Sequence, residues 1–316
     1  MLPWIIGIVI FLLLGGCVAM LFITYPIARK VHRNTLVRTE PEKWGHSCSA
    51  PEHPEQIAMW EAGCAWAEAY KEHMRELSAK NDGLSLYAQY FDFGSDRCVV
   101  ILPGRCECHK YSYYFAEPYR AAGFNILVID SRCHGLSDGT YCTIGRKESE
   151  DLAVWVGKLT RELGNRSVWF HGICVGSCAG LLLMAKDSCP KEVQGMVLEG
   201  CFTSFRETFK QHMIQDKRPV FPVLDLVMFE IYRHTGTNVL RCSPLRCLKR
   251  IEKPTLFLCG KEDVFSLPKK SQQLFDSCKS EKKRLIWFQK GSHSHLRLNN
   301  PEQYDNSIRE FLEYVG

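Results

Sequence analysis

A cysteine stands between two glycines in the run Gly172-Ile173-Cys174-Val175-Gly176. An apolar segment at 167–170 precedes this run and helix-forming residues follow it. The sequence therefore predicts a sharp strand-to-helix turn with the Cys174 thiol at its tip. The free N–H groups and the dipole at a helix start favour an anion, and a nearby histidine would add to that effect. Cys174 is therefore our candidate for a nucleophile that attacks a carbonyl carbon.

A second cysteine, Cys178, lies in the overlapping run Gly176-Ser177-Cys178-Ala179-Gly180. It falls about one turn inside the predicted helix, where its side chain would pack rather than project from the turn. We therefore prefer Cys174 and keep Cys178 as the alternate nucleophile. A further alternative is that Cys174 itself is a buried thiol in a turn without catalytic function.

Proton transfer from the thiol needs a histidine, and that histidine needs an acid to orient it. Asp263 and His293 each follow a short apolar run that is typical of a buried strand. Because the carboxyl ends of parallel strands meet at one edge of a sheet, both residues should converge on the turn that carries Cys174. Glu262 is the alternate acid and His295 is the alternate histidine.

Attack on a carbonyl carbon creates an oxyanion, which needs two hydrogen-bond donors close to the nucleophile. The backbone N–H of Val175, directly after the cysteine, is the first candidate. The second candidate is the N–H of Arg105, in the loop that follows the first core strand. Pro103 in the same loop has no N–H to donate.

Strands and helices alternate along most of the chain, and the strands are short apolar runs without a polar face. This pattern indicates an α/β fold, with a mostly parallel central sheet covered by helices on both faces. The predicted strands are 84–93, 98–102, 125–129, 167–170, 194–198, 255–258 and 285–288, and helices are predicted at 54–80, 111–122, 146–162, 175–186 and 301–314. About 50 residues at 201–252 contain two helix-like stretches, which predict a helical lid. A plain crossover with extra helices is the alternative.

The first segment of the chain has no charged residue from Trp4 to Tyr25. As a helix it would be about 33 Å long, enough to cross a hydrocarbon core of ~30 Å. We therefore predict a single-pass transmembrane anchor at 1–28, a linker at 29–54 and the α/β domain at 55–316. A cleaved signal peptide and a lipoprotein with Cys17 as its lipidated residue are the alternatives.

The residues after the anchor and the overall composition bear on location and partners. Four basic residues follow the apolar segment, which favours a cytoplasmic globular domain: Arg29, Lys30, Arg33 and Arg38. The net charge of +5 is spread along the chain, which gives no sign of nucleic-acid binding. The sixteen cysteines are interpreted mainly as reduced thiols, since the pairs Cys106/Cys108 and Cys242/Cys247 lack the spacing of a zinc site. We expect neither a metal nor a cofactor.

Several motifs in the second half of the sequence resemble one known family. The segment from Asp130 to Gly139, DSRCHGLSDG, is similar to the D-x-R-G-H-G-x-S-x-G stretch of α/β-hydrolases. Further similarities, to the membrane-anchored bacterial hydrolases described as serine aminopeptidase-like, lie at 139–145, 150–155, 260–263 and 299–304. The resemblance implies the α/β-hydrolase fold over about 82–314, with Cys174 where the family has its nucleophilic serine. Dienelactone hydrolase, in the same family, also has a Gly-x-Cys-x-Gly turn.

Two functions follow from these expectations. The first is an acyl hydrolase that cleaves an ester, thioester or activated amide through a Cys174–His293–Asp263 triad and an acyl-cysteine intermediate. Its substrate would be a small or lipid-like acyl compound. The second is a weakened or non-catalytic membrane-anchored module that binds acyl-like ligands. Two departures from the family pattern favour the second function: Pro103 replaces a histidine, and Cys133 replaces a glycine.

Overall fold

One eight-stranded sheet forms the centre of the protein in the computed structural model, which describes residues 2–316. The strands lie in the order β1-β2-β4-β3-β5-β6-β7-β8, and both pairings of β2 are antiparallel while all others are parallel. Their bounds are β1 Met74–Asn81, β2 Leu84–Phe91, β3 Arg97–Leu102, β4 Asn125–Ile129, β5 Ser167–Ile173, β6 Val193–Glu199, β7 Thr255–Gly260 and β8 Lys283–Phe288. The predicted fold class is confirmed.

Helices cover both faces of the sheet because the central strands have no polar side. In β3, Val100 and Leu102 enter the apolar cluster on one face, whereas Val99 and Ile101 enter the cluster on the other. The helices are α1 Leu2–Leu36, α2 Pro54–Ala69, α3 His109–Ser112, α4 Glu117–Ala121, α5 Glu148–Arg161, α6 Val175–Met184, α7 Phe205–Gln215, α8 Val223–Thr235, α9 Pro244–Leu248, α10 Pro268–Ser277, α11 Leu296–Asn299 and α12 Pro301–Val315.

The helix predicted at 54–80 is wrong in its second half. Helix α2 ends at Ala69, and Met74–Asn81 forms β1, which pairs antiparallel with β2. A two-residue turn joins these strands, with Asp82 at φ 55° and Gly83 at φ 76°. Such a turn favours Asp-Gly and holds its flanking residues in a hairpin. The hairpin therefore overrides the helical spacing of the apolar residues before it.

Two lid helices, α7 and α8, lie between β6 and β7, within the predicted 201–252 segment. They pack over the turn after β5, because Cys174 and Val175 contact an apolar cluster that includes Phe205 and Val227. In the second half of α7, Gln211 donates a side-chain hydrogen bond to the carbonyl of Val264 at 3.2 Å. The lid thus touches the loop after β7 as well as the turn after β5.

The N-terminal helix α1 is long and apolar enough to cross a membrane. It continues through Pro26 to Leu36, so residues 29–36, predicted as the start of the linker, are helical. Its last turns pack on the globular domain, where Ala28 and Leu36 are buried and the Tyr25 hydroxyl donates to Glu230 at 2.7 Å. Met1 and the side chain of Cys17 lie outside the described part of the chain, so lipidation at Cys17 stays an alternative prediction.

Candidate active site

The turn after β5 holds Cys174 in a strained backbone conformation, with φ 52° and ψ −108°. Both flanking glycines are required by close contacts. A β-carbon on Gly172 would lie 2.6 Å from the Cα of Ser177, and one on Gly176 would lie 2.2 Å from the carbonyl oxygen of Leu102. The turn is further held by the Cys174 N–H, which donates to the carbonyl of Glu199 at 2.9 Å. Cys174 therefore directly precedes α6, as the spacing of the glycines predicts.

Asp263, which is buried, and His293, which is partly buried, form a pair beside this turn. The Nδ1 of His293 lies 2.8 Å from the Oδ2 of Asp263. The other carboxylate oxygen, Oδ1, accepts from the N–H of Phe265 at 2.8 Å and from the N–H of Ser266 at 2.7 Å. These bonds fix the carboxylate, which in turn fixes the imidazole and leaves its Nε2 free for the thiol.

The three groups shift one another's pKa values. Burial would raise the pKa of the Cys174 thiol, but the neighbouring imidazole of His293 and the positive charges of His293 and Arg105 lower it below the ordinary value. Burial would lower the pKa of His293, but the hydrogen bond and charge of Asp263 raise it well above the ordinary value. The pKa of Asp263 is lowered, since His293 and two backbone N–H groups outweigh its burial. This arrangement favours a thiolate–imidazolium pair.

The three alternate residues point elsewhere. His295 is held away from the thiol because its Nδ1 lies 2.9 Å from the Ser292 hydroxyl and its Nε2 lies 2.9 Å from the side-chain oxygen Oε1 of Gln56. Glu262 is exposed. Cys178 is fully buried inside α6, and burial raises the pKa of its thiol well above the ordinary value. The structure thus brings Cys174, Asp263 and His293 together and leaves the alternates apart.

The loop after β3 lies directly beside the thiol. A β-carbon on Gly104 would be 3.6 Å from the Cβ of Cys174. The next N–H groups differ: that of Cys106 donates to the Nε2 of His134 at 3.1 Å, whereas those of Arg105 and Val175 donate to no acceptor within residues 2–316. The two N–H groups predicted for an oxyanion hole are therefore free to donate hydrogen bonds to an oxyanion.

Two side chains near the site have roles that the sequence analysis did not predict. The guanidinium of Arg105, rather than only its N–H, contributes positive charge to Cys174. Glu199 is fully buried at the end of β6, where burial raises its carboxyl pKa to about 7 and the Tyr304 hydroxyl donates to it. Glu199 directly follows the predicted strand 194–198, and this position could have marked it as a site residue. A single acid after an apolar run, however, is usually interpreted only as the end of the strand.

Two groups of metal-ligand side chains occur among the described residues. Cys108, His109 and Asp130 are all buried, but the Asp130 oxygens already accept from the N–H groups of His109 and Leu136 and from the His109 ring. That group is satisfied as a structural hydrogen-bond network that holds two loops. The second group is His32, Glu230 and His234, at the junction of α1 and α8.

Comparisons with known proteins agree with this architecture. A family model described as "alpha/beta hydrolase fold" matches residues 97–220. The chain is 28% identical over 209 residues to the uncharacterized protein YqkD of Bacillus subtilis, a match that covers 66% of this chain and 67% of that protein. It is 27% identical over 203 residues to an uncharacterized membrane protein of Saccharomyces cerevisiae, YNL320W, covering 63% of this chain and 64% of that protein. The chain thus spans about two thirds of the length of these relatives.

Solved structures share the fold at low sequence identity. The esterase Pf2001 of Pyrococcus furiosus superposes with a TM-score of 0.64 at 22% identity, covering 79% of this chain and 95% of that chain. Est816, named as an N-acyl homoserine lactone degrading enzyme, superposes with a TM-score of 0.57 at 18% identity, covering 74% of this chain and 100% of that chain. Likeness at this level concerns the fold and the placement of the strands.

Proposed function

We propose that this chain, which belongs to the α/β-hydrolase superfamily, is a hydrolase that cleaves an acyl bond with Cys174 as its nucleophile. The bond is an ester, a thioester or an activated amide. One observation carries the proposal: His293, held at 2.8 Å by Asp263, is near enough to the Cys174 thiol to lower its pKa. A positioned base between an acid and a thiol is the arrangement that nucleophilic catalysis requires.

The proposed reaction has two halves. The Cys174 thiolate attacks the carbonyl carbon, and the resulting oxyanion accepts hydrogen bonds from the N–H groups of Val175 and Arg105. His293, protonated and held by Asp263, gives its proton to the leaving alcohol, thiol or amine as the carbonyl–heteroatom bond breaks. In the second half, His293 takes a proton from water, the hydroxide attacks the acyl-cysteine, and the thiolate leaves with release of the carboxylic acid.

A thiol-reactive or fluorophosphonate probe tests the nucleophile directly. Wild type and Cys178→Ala should both be labelled at residue 174, whereas Cys174→Ala should not be labelled there. Cys174→Ser tests the rest of the machinery, because a serine in an intact site should hydrolyse p-nitrophenyl esters. If wild type and Cys174→Ala react alike and Cys174→Ser shows no hydrolysis, the non-catalytic ligand-binding module is the better description.

A small or lipid-like acyl substrate fits the surroundings of the triad. Phe265 lies against the His293 ring, with 5.2 Å between ring centroids, and Phe205 and Phe209 of the lid stack at 5.3 Å. An apolar wall of this kind favours an acyl chain over a charged group. A panel of p-nitrophenyl and CoA esters of increasing chain length tests this, and a preference for the shortest, most polar acyl groups would contradict it.

We also propose that α1 anchors the protein in a membrane, with its globular domain in the cytoplasm. The apolar side chains of its first turns are exposed, among them Trp4, Phe11 and Phe22. Basic residues follow on the globular side: Arg29, Lys30, Arg33 and Arg38. Protease treatment of intact cells should leave the domain uncut. Its digestion from outside would reverse the proposed orientation.

A further inference from the structure

Three metal-ligand side chains meet where the N-terminal helix α1 crosses the lid helix α8, away from the triad. They are His32 of α1 and Glu230 and His234 of α8, and one ligand atom from each lies within 4.8 Å of the others. The Nε2 of His234 is 3.5 Å from the Oε2 of Glu230. Two ligands about 2.1 Å from a tetrahedrally coordinated zinc ion are separated by about 3.4 Å. This pair is therefore already spaced as one edge of such a site.

Neighbouring tyrosines orient two of the three side chains. The Tyr141 hydroxyl lies 3.0 Å from the Nδ1 of His234, which leaves Nε2 to face Glu230. The Tyr25 hydroxyl donates to the Oε1 of Glu230 at 2.7 Å, which leaves Oε2 to face His234. Partners of this kind on the far side of each ligand are typical of protein metal sites.

His32 supplies an independent observation. Its side chain is only 3% exposed, and it lines the groove at this helix crossing together with Glu230 and His234. The ring stacks almost parallel to that of His234, with centroids 5.5 Å apart and 6° between planes. The His32 ring therefore lies beside the His234 ring at the edge of the groove, where a metal ion can reach both imidazoles.

We propose that His32, Glu230 and His234 bind a divalent first-row transition ion of the zinc type. Two imidazoles and one carboxylate suit such an ion better than magnesium or calcium, which prefer oxygen ligands. A groove of about 800 Å³ reaches both histidines and Glu230 and admits the ion and a solvent ligand. The site goes beyond the proposed hydrolase activity, and the bound ion would join the anchor helix to the lid.

Nearby positively charged side chains weaken the binding of a metal ion at this site. Arg233 donates from Nη2 to Glu230 and lies 2.9 Å from the Nε2 of His234, so it covers the position that the ion needs. Its side chain is 43% exposed and has room to turn outward into solvent. Arg29, Lys30 and Arg33 also line the groove and oppose a cation. We therefore expect Arg233→Gln to bind the ion more tightly than wild type.

The experiment uses the full chain in detergent, because α1 contributes one ligand. After removal of metal with a chelator, zinc is titrated calorimetrically, and X-ray absorption identifies the ligands. The sixteen cysteines can also bind zinc. Nitrogen and oxygen ligands at about 2.0–2.1 Å, without sulfur at about 2.3 Å, are therefore the required result. Binding should have a 1:1 stoichiometry and should raise the melting temperature.

Variants decide the assignment without any assay of catalysis. His32→Asn and His234→Asn should each weaken binding at least tenfold, whereas His53→Asn, which changes an exposed histidine, should not. His234 is partly exposed, so its variant remains informative if the buried His32 variant does not fold. A zinc ligand shell that contains sulfur would overturn the proposal. An affinity for zinc that is unchanged in both His234→Asn and Arg233→Gln would also overturn it.

Discussion

Gly200 lies directly under the imidazole of His293, so a β-carbon at position 200 would stand 2.7 Å from the Cε1 of that ring and 3.1 Å from its Nδ1. Gly200 follows β6 and has φ 57°, a conformation that side chains rarely adopt. The absence of a side chain at Gly200 therefore has two consequences. It allows the chain to turn at the end of the strand, and it leaves the space in which the His293 ring meets both Asp263 and Cys174.

Gly200→Ala should therefore displace His293 and lower hydrolysis at least tenfold, because the imidazole can no longer bridge acid and thiol. Gly236→Ala is the matched control: Gly236 also has a positive φ, 65°, but its β-carbon would meet nothing within 4 Å. Each change should cost about 1–2 kcal/mol of stability from backbone strain. Equal activity of the two variants would show that Gly200 acts only through the backbone.

The reactivity of Cys174 should begin at a lower pH than that of an ordinary thiol, since its pKa is lowered by His293. His293→Asn should shift the onset of alkylation toward higher pH, because burial then dominates. The measurement is iodoacetamide labelling against pH, with mass spectrometry of the peptide that contains Cys174. His295→Asn is the control, since His295 bonds to Ser292 and Gln56 instead. Equal shifts in both variants would argue against a specific pair.

Folding stability should respond to the same pair at both ends of the pH range. His293 has a raised pKa, so its contribution is fully present below about pH 6.5 and is lost as pH rises through the raised value. Asp263 has a lowered pKa, so its contribution is present above about pH 3.9 and is lost as pH falls through the lowered value. The double variant Asp263→Asn/His293→Asn should lose both dependences in thermal unfolding curves.

Strain at the nucleophile gives a stability prediction of its own. A non-glycine residue at φ 52° and ψ −108° costs about 1–3 kcal/mol, more than the ~0.5–1 kcal/mol by which glycine usually weakens an element. Cys174→Gly should therefore melt about 2–4 °C above Cys174→Ala. At Cys178, inside α6, the order should reverse, with glycine the less stable replacement. The same order at both positions would contradict strain at residue 174.

The sequence predicts much of the site because the site depends on local patterns at strand ends. The glycines around Cys174 define the turn, and Asp263 and His293 each follow an apolar run, so their convergence follows from the rule that parallel strands end at one edge. The central strands could be predicted equally well from the sequence, since β3 and β4 are apolar on both faces. For these elements the local preference and the tertiary packing agree.

Features that depend on contacts distant in sequence were not predicted. The strand at Met74–Asn81 has helix-like spacing of apolar residues, and its hairpin with β2 decides the outcome. Glu230 and His234 are four residues apart on one helix, but nothing in the sequence brings His32 to them. Helix α1 continues past the apolar segment to Leu36, and its packing on α8, which supports this continuation, also joins residues distant in sequence.

Glu199 provides the last test, because a buried carboxyl group makes stability depend on pH. Its pKa is raised by burial to about 7, so the folded protein keeps a proton that the unfolded chain releases near pH 4.5. Stability should therefore fall as pH rises between these values, by about 3 kcal/mol in total. Glu199→Gln, which keeps a partner for the Tyr304 hydroxyl, should lose this decline.

The measurement of the Glu199 effect is the difference in thermal stability between wild type and Glu199→Gln, followed from pH 4 to pH 8. Glu107, which is partly buried, also has its pKa raised to about 7, but it is present in both proteins and cancels in the difference. The thermal stability of Glu199→Gln relative to wild type should increase steadily as the pH rises through this range. Parallel curves would mean that the carboxylate of Glu199 is stabilised by His293 strongly enough to ionise without cost.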